Sequence, residues 1–66
     1  MKRFFKITFK KVNGEEYGEY VKAESCLKAE AYAFRFCPSE EEVKSVSEVR
    51  EKEMPKGVVP FAIKEE

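Results

Sequence analysis

Residues 3–24 read RFFKITFKKVNGEEYGEYVKAE, and this stretch decides the fold. Phe5, Ile7 and Phe9 alternate with Lys6, Thr8 and Lys10, the period-2 pattern of a half-buried strand rich in β-forming residues. Val12-Asn13-Gly14 supplies turn chemistry, and residues 15–24 read as a returning strand. A two-residue Asn13-Gly14 loop would place Phe5 opposite Lys22 and mix the two faces. A three-residue loop with Gly14 left-handed makes the paired residue numbers sum to 26. Phe5 then faces Val21, Phe9 faces Tyr17, Arg3 faces Ala23, and Lys10 and Lys11 meet Glu16 and Glu15. The sequence therefore predicts the three-residue loop. One polar residue, Glu19, falls opposite Ile7 on the core face.

Beyond the hairpin, Ser25 is a good N-cap, and residues 26–36 contain neither Gly nor Pro. Pro38 closes this helix, because a residue before proline avoids the α region. At 100° per residue, Cys26, Ala29, Ala33, Phe34, Phe36 and Cys37 share a wide apolar arc, and Lys28 and Arg35 mark the polar side. Small alanines at the centre would let the helix lie close to a sheet. Ser39-Glu40-Glu41-Glu42 matches a capping box. Val43, Val46 and Val49 recur every three residues, which hints at a helix, but three β-branched Val and two Ser favour a strand reaching about Lys52. The expectation is one helical turn followed by a strand. Residues 54–57 read as a turn and 58–63 as a last strand, with Val59, Phe61 and Ile63 on one face. Pro60 confines that strand to an edge. The expected architecture is α+β: an antiparallel sheet of three to four strands with one helix on one face, in the order β-β-α-β-β.

The chain has 66 residues, 42% hydrophobic and 39% charged, with 13 basic residues balanced by 13 acidic ones. That length supports one domain, residues 1–66, with one core. His, Trp and Asp are all missing, so every acid is Glu. Most zinc sites, EF-hand loops and catalytic triads need those residues, so no catalytic, cofactor-binding or metal-binding residue is expected. Lys6 and then Lys10-Lys11 interrupt any signal-peptide core, and no uncharged run approaches the roughly 18 residues of a membrane span. The expected location is the cytoplasm, that of a bacterial host if the chain is phage-encoded.

Val21-Lys22-Ala23-Glu24-Ser25, followed by Ala29 and Ala33, resembles a class of small bacterial and phage accessory domains. These join a charged hairpin to an alanine-striped helix through a similar junction, and the resemblance covers residues 3–49. Some phage inhibitors of bacterial defence, anti-CRISPR proteins among them, are similar in size and make-up. This chain departs at Cys26-Leu27-Lys28, where that class carries an acidic first helical turn. The resemblance implies an accessory or inhibitory role and transfers no site residue.

Four features invite a functional reading. Cys26 and Cys37 bracket one helix about 16 Å long, too far apart for a disulfide, and are expected as buried free thiols. Glu19 and Glu30 read either as a facing acid pair or as residues at the rim of the sheet. Phe4, Lys6, Lys10, Tyr20 and Lys22 would give the outer sheet face alternating cations and aromatics, as in sheet-based binders of single-stranded nucleic acid. The same residues serve as a solvated face, and a sequence pI near 6.3 favours that use. The fourth feature is Leu27, Ala31 and Phe34, set to one side of the alanine stripe. They are either covered by the segment after Pro38 or they meet a second copy or another protein. The expected function is thus non-enzymatic recognition of another macromolecule, most readily protein, with nucleic-acid binding through the first strand as the alternative.

Overall fold

A computed structural model describes residues 3–63. Its elements are β1 (Arg3–Lys10), β2 (Glu16–Ala23), α1 (Cys26–Phe36), β3 (Glu42–Val49), a single 3-10 turn (Glu51–Glu53) and β4 (Phe61–Ala62). The order β-β-α-β-β is as the sequence predicts, and the fold is α+β. The strands form one sheet in the order β3-β1-β2-β4, so β1 is flanked on both sides.

The hairpin register follows the three-residue loop. Arg3 pairs with Ala23, Phe5 with Val21, Phe9 with Tyr17 and Lys10 with Glu16. Lys11 N–H donates to Glu15 O at 2.7 Å, and Gly14 N–H donates to Lys11 O at 2.9 Å. Gly14 has φ of 92°, a left-handed conformation that side chains with a Cβ adopt at a cost. The Asn13 side-chain oxygen accepts from Glu15 N–H at 2.9 Å, locking the turn from within.

At the hairpin's exit, Ser25 sits in extended conformation and its hydroxyl accepts from Lys28 N–H at 3.2 Å. This satisfies one of the orphan donors of the first helical turn. At the other end Cys37 is extended, with ψ of 129°, as its place before Pro38 requires. Ala29 and Ala33 are fully buried against the sheet. With Phe5, Ile7, Phe9, Val21 and Ala23 they make the core, and each of these seven is at most 2% exposed. Burial of the larger side chains, Phe5, Ile7 and Val21, stabilises the fold by about 1.5–3 kcal/mol each.

The second half departs from expectation in three ways. First, the segment after Pro38 is a turn, with Glu41 N–H donating to Pro38 O at 3.0 Å. The helical turn comes after β3 instead, where Arg50 N–H donates to the Glu53 carboxylate at 3.0 Å. Glu42, the acid of the expected capping box, opens β3 opposite Lys10 instead of capping a helix, and beside it the Glu41 carboxylate accepts the Tyr17 hydroxyl. Second, β3 carries a bulge: Ile7 pairs with Val46, but Phe9 pairs with Val43, leaving Lys44 extra. That inserted residue keeps Val43 and Val46 both against the core, so their three-residue spacing is here the signature of a bulged strand, while Val49, three residues on, pairs with Phe4 on the outer face. Third, the sheet is mixed, because β4 runs parallel to β2. A tight turn forces its two strands to be antiparallel, but residues 50–60 cross from one edge of the sheet to the other and leave the direction of β4 unconstrained. β4 is shorter than expected and lies at the edge, the position that Pro60 tolerates.

Candidate interaction surfaces

The helix α1 and the strands β1, β2 and β3 each present one face to the core, so the surfaces left for function are the solvent side of α1, the outer side of the sheet and the two sheet edges. On α1 the apolar pattern is inverted. Its buried positions hold Ala29 and Ala33, while Leu27 is 75% exposed and Phe34 68% exposed. Ala31 is exposed between them. The segment after Pro38 leaves Leu27 and Phe34 uncovered; it is anchored elsewhere, through Tyr17–Glu41 and through the Cys37 thiol, which donates to Glu41 O at 3.3 Å.

The other flank of α1 is partly closed. Tyr32 stacks on Phe61 of β4, with ring centroids 5.5 Å apart, and lies 4.8 Å from the Phe36 ring. Phe36 and Phe61 nevertheless stay more than half exposed, and Val59 is 88% exposed. This second apolar cluster has no signature in the sequence. Its existence depends on where β4 docks, and local periodicity does not encode that.

The outer sheet face has no helix over it. Phe4 pairs with Lys22 and Lys6 with Tyr20, setting the two aromatics diagonally across the hairpin. The Lys22 ammonium lies 5.6 Å from the Phe4 ring centre, and that of Lys6 lies 5.9 Å from the Tyr20 ring centre. A Cβ on Gly18 would fall 2.8 Å from Lys6 Cε, so this glycine leaves the space across which the Lys6 stem lies. Lys10 shares the face, and the bulge adds Lys44. Glu16 is drawn to Lys44 at 2.5 Å rather than to its cross-strand neighbour Lys10. The hydrogen bond from Lys44 chiefly holds the Glu16 carboxyl below its ordinary value. Lys2, part of the same basic stretch, lies outside the described residues.

Tyr17, Tyr32 and Cys37 are drawn toward their protonated forms. Accepting the Tyr17 hydroxyl, the Glu41 carboxylate pushes that phenol up to about 12. Burial raises Tyr32, aided by Glu19, and burial raises the Cys37 thiol, aided by Glu41 and Glu42. Cys26 and Cys37 are free thiols, but Cys26 is exposed and Cys37 only partly buried. The expected burial of both fails because the sheet covers only the Ala29–Ala33 stripe. Glu19 and Glu30 are both exposed, which fits their place at the rim. Among the described residues no group of three or more Cys or Glu side chains gathers as a metal site, and no helix is long and apolar enough to cross a membrane.

The open edge of β3 is poorly suited to pairing with another strand. The bulge at Lys44 interrupts its ladder, and Glu48, paired across from Phe5, points a charge to the core side, where Arg3 meets it at 3.5 Å. Bulges and inward charges are the devices by which proteins blunt sheet edges. The uncovered apolar side of α1 carries no such protection. No protein-family model, curated protein or solved structure matches the chain.

Proposed function

We propose that this domain is a non-enzymatic recognition module that binds protein through the solvent side of α1, with Leu27, Ala31 and Phe34 as the contact residues. The observation that carries this reading is the exposure of Leu27 and Phe34 on a helix whose core side is filled by alanines. Burying a Leu or Phe is worth about 1.5–3 kcal/mol each, so two of them held out on so small a domain are a reserve of binding energy. The resemblance to phage accessory domains gives this reading its most concrete form: an inhibitor or accessory protein that occupies a surface on a larger target. The test compares immobilised wild-type protein with Leu27→Ser/Phe34→Ser. A protein partner, self or foreign, retained by the first and released by the second supports the reading. Equal retention by both would move the interaction surface elsewhere.

A second reading has its own observation, the diagonal of Phe4 and Tyr20 framed by Lys6, Lys10, Lys22 and Lys44 on an uncovered sheet. Such a face suits single-stranded nucleic acid, with phosphates on the lysines and bases on the rings. The lysines already cover both rings, and Glu16 and Glu42 lie among them, so this reading ranks second. It requires oligonucleotide binding that weakens steeply with salt and disappears in Lys6→Glu/Lys10→Glu. Absence of binding at low salt excludes it.

A further inference from the structure

The charges beside the exposed strip select an occupant for it. Leu27, Ala31 and Phe34 follow one another at steps of four and three residues, the alternation that forms a d-a-d seam in a coiled coil. In this register Glu30 falls at position g, and Lys28 and Arg35 fall at position e, so an acidic flank and a basic flank border the seam. Ala29 and Ala33 occupy outer positions and rest on the sheet, which turns the seam toward solvent.

A seam flanked by acid on one side and base on the other is self-complementary in one orientation only. In a parallel pair, the two-fold axis runs along the helices, and the acidic flank of each copy meets the basic flank of the other. Glu30 then faces Arg35 of the second copy, and this contact occurs twice. In an antiparallel pair like flanks meet, with Glu30 near Glu30 of the second copy and Arg35 near Lys28 of the second copy. Ala31 at the centre lets the helix axes approach closely, while Leu27 and Phe34 close the two ends. Resting on the reading of this face as a protein-interaction surface, the geometry points to a second copy of this chain as its occupant, docked helix to helix in parallel with the two sheets outermost. Extending the sheet through β3 is the obvious other route to a dimer, and its bulge and inward Glu48 oppose that.

The helix spans about 16 Å, shorter than the seam of a permanent coiled-coil dimer. Its interface falls below the roughly 800 Å² per partner of standard complexes, so the pair forms and separates readily. Sedimentation equilibrium from about 10 μM to about 1 mM covers the relevant range of dissociation constants. Wild type should pass from monomer toward dimer, and Leu27→Ser/Phe34→Ser should remain monomeric with an unchanged circular dichroism spectrum. Glu30→Arg and Arg35→Glu should each weaken the dimer about tenfold, because each converts two attractive contacts into repulsive ones. The double exchange Glu30→Arg/Arg35→Glu should restore it.

A wild type that stays monomeric throughout the range overturns the proposal. So does a Glu30→Arg reversal that changes nothing or an Arg35→Glu reversal that tightens the dimer, since an antiparallel pair exchanges one like-charge contact for another in the first and turns the Arg35–Lys28 repulsion into attraction in the second. The broader reading fails separately. A monomeric wild type that still captures a different protein, and loses it in Leu27→Ser/Phe34→Ser, refutes self-pairing and keeps the recognition surface. Monomeric behaviour with no capture refutes both.

Discussion

The two sides of α1 use apolar residues in opposite ways. Toward the sheet lie Ala29 and Ala33, both fully buried; toward solvent lie Leu27 and Phe34, both mostly exposed. Ordinarily the larger apolar side chains face the core and the smaller ones the surface. The inversion has a geometric cause on the inner side, because β1 and β2 already fill the core with Phe5, Ile7, Phe9 and Val21 and leave room only for methyl groups. No packing requirement within the domain explains the outer side. The contrast separates residues that hold the fold from residues available to a partner, and substitutions on the two sides should behave differently.

The largest effect is expected on the inner side. Ala33→Leu inserts three carbons where the helix touches the sheet, and should destabilise the domain by about 1–3 kcal/mol through overpacking. Urea unfolding would measure it; a change below half a kcal/mol would show that the helix can lift from the sheet without loss. Gly14→Val should come next, at about 1 kcal/mol or more, because a β-branched residue is strained at the observed φ of 92°. No atom lies within 4 Å of a Cβ at this position, so the cost is purely conformational and should not depend on side-chain size. Gly14→Asn should be milder, because Asn tolerates positive φ better than a β-branched residue, and equal losses for the two would refute that explanation.

A smaller effect comes from the corner where Tyr17 donates to Glu41. With its folded value about 12 against an ordinary value of 10.0, this phenol favours the protonated fold. The contribution is complete below pH 10 and is lost as pH rises through about 12. Phenolate absorbance should show a component with a midpoint near that upper value, and Tyr17→Phe should remove it. Ionisation of every tyrosine near the ordinary value would dissolve the link between the hairpin and the segment after Pro38.

What was legible in the sequence follows from how local each decision is. Residues 3–24 fix their own pairing, because Asn13-Gly14, the charge pairs and the Phe5–Val21 match all agree on one register. The helix bounds follow from Ser25 and Pro38, and the offset of the Leu27–Ala31–Phe34 strip follows from simple angular projection, but its exposure depends on where the segment after Pro38 docks. The second half depends on partners distant in sequence. Val43 and Val46 look helical until β1 imposes the bulge at Lys44, and nothing near Glu41 reveals that Tyr17 claims its carboxylate. The direction of β4, and with it the Tyr32–Phe36–Phe61 cluster, is set by a crossing that no turn residue encodes.

The outer side of α1 tests the account most directly, because there the expected effect on the fold is the smallest. Urea unfolding of Leu27→Ser/Phe34→Ser, at concentrations low enough to keep both proteins monomeric, should give a free energy within about 0.5 kcal/mol of wild type per substitution. That result would establish that the two residues are not part of the core and are free to serve a partner. A loss of several kcal/mol in the monomer would contradict the account, because the strip would then be holding the fold together.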